Sequence, residues 1–352
     1  MSRSLKVLLI VLGVLFTCGA GGVIVIAVIV ILQNRPPSVP ADFSAPSSLP
    51  VGAAAADGML FYDSDRTGNY EVYAAASPGA EPRPLTADAA WDSWWPRLSP
   101  DRTHIAFYRS PKGVHDTDFN QTHLWMMNAD GTGQVELRPP GLDGWVQQGH
   151  ADWSPDSRSL VMFGGNKTNP QIFVTDATGQ RPRQVTERGG VNLDPSFAPD
   201  GRSIAFVGCP QSICQLDDYE IYVTDVAGVL AGGSMAEARR LTEDRLRDHD
   251  PYFAPDGSQL AWLTQTSATG KHPGGSWNIR AANADGSNQR RVTDDDQINS
   301  KPEWSRDSRT IYFHRLEIPR LRGFNIFAVN PDGSDLREIT TGQPGVNEFP
   351  ST

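Results

Sequence analysis

Cysteine is scarce in this chain, with three in 352 residues. That excludes a small domain stapled by disulfides. Excess positive charge is also missing: 31 Lys and Arg stand against 41 Asp and Glu, for a net charge of −10. No basic stripe with interleaved aromatics runs along the chain, so a nucleic-acid partner is not expected. Three catalytic signatures are absent: the Gly-x-Ser-x-Gly elbow, His-Glu-x-x-His, and a Gly-rich phosphate loop. With the repeats running to the last residue, no hydrolase domain is expected either, and peptidase activity is not expected.

Apolar sequence is concentrated at the start. Val7 to Leu32 carry no charge over 26 residues, more than the roughly 20 a helix needs to cross the hydrocarbon core. The segment 7–32 reads as a transmembrane signal anchor. Arg3 and Lys6 precede it, so the positive-inside bias puts residues 1–6 in the cytoplasm and the remainder on the extracytoplasmic side. Leu15-Phe16-Thr17-Cys18-Gly19 has some likeness to a lipoprotein box, but fourteen apolar residues follow Cys18, which favours a retained anchor. Residues 33–57 are rich in Pro, Ala and Ser and read as a semi-extended tether.

The rest, 58–352, is periodic. Ala198-Pro199-Asp200-Gly201 leads into Ile204-Ala205-Phe206, then Ile221-Tyr222-Val223, then Leu241-Thr242, and the same beats recur along the chain. An Asp or Asn, two residues, Pro, one residue and an aromatic open a unit, as in Asn192 to Phe197, Asp248 to Phe253 and Asn299 to Trp304. This opening is strand A, with Pro where a missing donor does little harm. The Pro-Asp-Gly cluster is a tight turn, the apolar trio strand B, the Ile-Tyr run strand C, and the Leu-Thr exit strand D. Four short antiparallel strands make a propeller blade. The Pro slots, Pro96, Ala151, Pro195, Pro251, Pro302 and Pro350, number six; so do the exits, Leu85, Leu137, Val185, Leu241, Val292 and Ile339. The expected fold is all-β, a six-bladed β-propeller of four-stranded antiparallel blades preceded by one transmembrane helix. Its first blade is closed by the C-terminal strand around Pro350, so no edge is left open.

These motifs resemble the TolB-type, WD40-like β-propeller family, whose repeat carries the same beats in the same order. The resemblance covers 58–352 and implies the fold. It bears less on function, because such repeats occur in binding proteins and in the propeller part of some peptidases.

Candidate site residues come from the face that breaks the repeat. B–C and D–A connections are long and variable, and they share one face of the disc. On or beside them fall Trp91, Trp94, Trp145, Trp277, His115, His123, His150, His249 and His272. Trp suits stacking on sugars or anchoring a protein, and clustered His suits a metal, although no pair has a ligand spacing. Asp63-Ser64-Asp65-Arg66-Thr67-Gly68-Asn69 looks like a calcium loop, yet Ala74 fills its twelfth position. The Asp or Asn opening each strand A is expected to bond nearby backbone rather than ring the axis. Cys209 and Cys214 are disulfide candidates in an oxidising compartment. The sequence thus points to a membrane-anchored, periplasmic or otherwise extracytoplasmic module binding an envelope protein or glycan, with no metal and no cofactor expected. The alternative is a metal-dependent, lyase-like carbohydrate-active propeller that uses the loop histidines.

Overall fold

Each apolar trio lies at the centre of a four-stranded meander. Ile204, Ala205 and Phe206 are fully buried in the strand Ser203–Gly208. Strand A, Asn192–Phe197, flanks it on the inside, Glu220–Asp225 on the outside, and Arg239–Arg240 is the short outer edge. The computed structural model describes residues 35–187, 189–209, 218–233, 237–244, 246–267, 275–317 and 323–352. The expected span 7–32, Cys18, Cys214 and His272 lie outside these residues. Among the described residues no helix is long and apolar enough to cross a membrane.

Backbone ladders form four separate four-stranded sheets and one eight-stranded sheet. Six separate blades are therefore not what forms. The two meanders that run from Asp248 to Glu338 are one continuous sheet, joined by a parallel bridge between Trp277 and Ile298. The bridge arises because the Trp277 amide donates to the Gln297 carbonyl at 3.1 Å, pulling the D–A connection into register with strand C. Closure by the last strand does form: Asn347–Ser351 pairs antiparallel with Leu60–Ser64, with Asp63 opposite Glu348.

The repeated beats have structural work. In five repeats the exit threonine, Thr86, Thr186, Thr242, Thr293 or Thr340, accepts an amide from the first half of strand C at 2.9–3.0 Å, from Val72, Ile172, Ile221, Ile279 and Ile326. Each such bond contributes about 1 kcal/mol. In the A–B turns the aspartate accepts from the serine, Ser99 to Asp101 at 2.6 Å and Ser154 to Asp156 at 2.7 Å, closing an Asx-type turn. The strand A openers Asn192 and Asn299 donate to the carbonyls of Pro170 and Trp277, at the start of strand C in the preceding meander.

The Pro-rich segment does not stand clear of the disc. Pro50 O bonds His104 Nε2 at 2.7 Å, Val51 O accepts from Asn128, and the Ala55 amide donates to Arg102 O. Leu49 packs against the apolar cluster around Trp94 and Trp153.

Candidate functional site

The residue just before each Pro slot is the one the fold treats specially. Trp95, His150, Asp194, Asp250, Lys301 and Phe349 all have φ between 48° and 54°. At each, the A–B ladder slips by one residue, as between Leu193 and Ser196 or between His249 and Tyr252. A bulge of this kind re-aims a side chain. Left-handed backbone at a non-glycine costs about 1–3 kcal/mol per position unless surrounding contacts hold it. Here contacts between neighbours hold the six in a ring around the axis, through side chains except at Asp194 and Asp250, where the Asp250 amide donates to Asp194 Oδ2 at 3.5 Å.

Around that ring, Phe349 stacks on Trp95 with centroids 4.8 Å apart, and Trp95 meets His150 at 4.1 Å. His150 Nδ1 bonds Asp194 Oδ1, and His249 Nδ1 bonds the other oxygen at 2.7 Å. Lys301 Nζ pairs with Asp250 at 2.7 Å and sits 4.2 Å from the Trp95 ring centre, which closes the circle. Burial alone would raise the Asp194 carboxyl, but His150 and His249 hold it well below the usual carboxylate range. Burial likewise opposes the Lys301 charge, which Asp250 and Asp194 more than restore.

One residue past the Pro slot is a second layer. Arg97 donates to Glu303 at 2.6 Å and to Asp152 at 2.7 Å, with its guanidinium 4.7 Å from the Tyr252 ring centre. Ser196 and Ser351 turn back to bond Pro251 O and Leu98 N. The two layers plug the axis and leave a cavity at each end. Beyond the Arg97 layer, on the A–B turn face, is a cavity of about 920 Å³ lined by Asp152, Trp153, Pro199, Tyr252, Glu303 and Trp304, among others. On the face with the long connections, His150, His249, Lys301, Asp116, Phe119 and Tyr219 line about 330 Å³. The roomier cavity is thus opposite the face on which sequence reasoning places the site. The stereotyped turns around that mouth are short, whereas on the other face Asp116 and Phe119 of the connection between strands B and C reach into the smaller cavity.

The sequence candidates divide accordingly. His115, His150 and His249 come close to the axis. His123 does not: its Nδ1 is 2.5 Å from Glu136 Oε1, away from the ring. Trp94 and Trp145 are buried and line neither axial cavity, Trp94 donating to Ser110 Oγ and Trp145 packing on Arg138 and Phe173. Trp91 and Trp277 are half-buried beside Arg109 and Arg247. Cys209 is disulfide-bonded. The calcium-loop reading is not assembled as spaced, since Asp65 accepts the Val346 amide and Asp63 the Trp95 amide. Sequence reasoning missed Asp194, Asp250, Lys301 and Phe349, and also Arg97, Asp152 and Glu303. Their signal was a variable residue on either side of a fixed Pro slot.

Asp63 instead belongs to a buried trio with His115 and Glu348. The His115 ring lies flat on Tyr70, 3.6 Å between centroids, with Nε2 3.7 Å from Asp63 and 3.8 Å from Glu348. Burial pushes Asp63 up to about 6 and Glu348 up to about 8. Burial works against the His115 charge too, yet Asp63 and Glu348 lift it to about 9.

No family model matches the chain. A TolB homolog of Chlorobium luteolum is 30% identical over 153 residues, 42% of this chain and 31% of that protein. An uncharacterized peptidase, YuxL of Bacillus subtilis, is 26% identical over 204 residues, 50% of this chain and 30% of its own length. The chain thus spans about a third of these curated relatives. The crystal structure of TolB from Acinetobacter baumannii superposes with a TM-score of 0.63 at 17% identity, covering 94% of this chain and 71% of that one. The fold is that of a TolB-like β-propeller.

Proposed function

We propose that the chain is a protein-binding propeller of the cell envelope that seats its partner in the cavity on the A–B turn face. The observation that carries this reading is the mouth of about 920 Å³. Its floor is Arg97, clamped between Asp152 and Glu303, and its walls are Trp153, Tyr252 and Trp304. Aromatic walls around a fixed charge are what anchor a protein side chain or loop. The likeness to TolB supports an envelope setting, and the uncharged run 7–32 supports a single-pass anchor with the disc outside the cytoplasm. In this reading the eight-stranded sheet counts as two blades and the ring as six, because one bridge is all that joins its halves.

Photo-crosslinking tests the choice of face. A benzophenone side chain is placed at Arg306, on the rim of the large mouth, or at Lys167, on the rim of the small one. In intact membranes the Arg306 position is expected to give a discrete protein adduct, identified by mass spectrometry, and the Lys167 position none. Adducts from Lys167 alone would reject the assignment.

A further inference from the structure

The described residues contain three groups of carboxylates and histidines close enough to share an ion: Asp63, His115 and Glu348; His150, Asp194 and Asp250; and Glu220, Asp244 and Asp248. Two of them already hold cations. Lys301 is paired with Asp250, and Asp194 is spanned by two imidazoles. Arg240 reaches Glu220 at 2.5 Å and Arg280 reaches Asp244 at 2.7 Å. Among the described residues, neither Asp63 nor Glu348 has a lysine or arginine within ion-pair distance; their shared partner is His115.

Unpartnered atoms point to what is missing. Asp63 is fully buried; its Oδ2 accepts the Trp95 amide, whereas its Oδ1 has no hydrogen-bond partner. His115 Nε2 is also buried and unpartnered. A buried polar atom left without a partner costs about 1–3 kcal/mol, so such atoms call for an explanation. The spacing supplies one. His115 Nε2 lies 3.7 Å from Asp63 Oδ2 and 3.8 Å from Glu348 Oε2, distances too long for hydrogen bonds. They are near the roughly 3.4 Å that separates two donors bound to one four-coordinate zinc with arms of about 2.0–2.1 Å. The imidazole is fixed from three sides, by Tyr70, by Trp94 at 5.3 Å and by Phe349 at 5.7 Å, so its orientation does not depend on the missing partner. Asp116, next in sequence to His115, lines the small mouth and offers a way in from solvent.

We propose that Asp63, His115 and Glu348 form a binding site for a zinc-like divalent cation. One imidazole and two carboxylates are a donor set for a borderline ion such as Zn²⁺ rather than for calcium, which takes six to eight oxygens. Glu348 is on the closing strand, Asp63 on the strand paired with it, and His115 on the B–C connection of the next sheet. The ion would therefore tie the closure of the ring to the neighbouring sheet. The site is independent of which mouth takes a partner.

The full-length chain, purified in mild detergent and stripped with a chelator, is titrated with Zn²⁺ by calorimetry and with Co²⁺ by visible absorption. One equivalent of Zn²⁺, Co²⁺ bands displaced by Zn²⁺, and a higher Tm when loaded are expected. Glu348→Gln and His115→Gln should each weaken binding by more than about 100-fold, beyond the 10- to 100-fold cost of disturbing an outer partner. His123→Ala, an imidazole away from the axis, should leave it unchanged. Failure of the folded wild-type chain to bind either ion stoichiometrically overturns the proposal, and that reading needs no variant. So does unchanged binding in both Gln variants.

Discussion

Two clusters near the axis use the same residue types and are solved in opposite ways. Around Asp194 and Asp250, every buried carboxylate has a cation or an imidazole within hydrogen-bond distance. At Asp63 and Glu348, two buried carboxylates face a single imidazole at 3.7 and 3.8 Å. Removing a charge from water costs several kcal/mol even after relaxation, and a close partner is what offsets it. The contrast separates a finished structural network from one with room for another charge. Residue identity alone does not make that distinction; the distances do.

The largest test breaks the finished cluster. Lys301→Met leaves Asp250 buried without its ammonium and is expected to cost about 3–5 kcal/mol, read from the denaturant midpoint. A loss under about 1 kcal/mol would mean that the ring of six is decoration. A second test uses Asp248, which burial holds up at about 7 although Thr264 donates to it at 2.6 Å. Its folded pKa lies above the unfolded value of about 3.9. The stability it contributes is therefore complete below that value and lost as pH rises through about 7. Asp248→Asn should flatten this decline, by about 2–4 kcal/mol across the window, measured by melting at several pH values. Smallest is the effect of Glu348→Gln on metal-free protein near neutral pH, where burial already holds the carboxyl up at about 8 and its replacement by a neutral amide should change stability by less than about 1 kcal/mol. A large loss there would put Glu348 among the satisfied ion pairs and erase the contrast.

Much of the framework was readable from the residues. The Pro slots and Leu-Thr exits located the strands because each beat has a local job, a turn to close or an amide to satisfy, and local jobs leave local signals. The ring did not read out. Trp95, His150, Asp194, Asp250, Lys301 and Phe349 share no side-chain chemistry, only a backbone kink, and strict alternation along a strand would misplace them. Asp63 was visible, but with neighbours in sequence as its expected partners. Its actual ones, His115 and Glu348, are brought in by a connection and by ring closure. Trp94 and Trp145 lie where loops meet strands, and their burial is decided by packing against Tyr108, Phe173 and Arg138.

The kink that aims these six side chains is made by main chain, and the ladders on either side of it stay intact whichever residue stands there. The axis of the disc is therefore a row of interchangeable letters set in a fixed frame. Any letter can be rewritten, provided it tolerates a left-handed backbone and agrees with its two neighbours. A change of electrical or aromatic character along the bore then requires no redesign of the surrounding sheets.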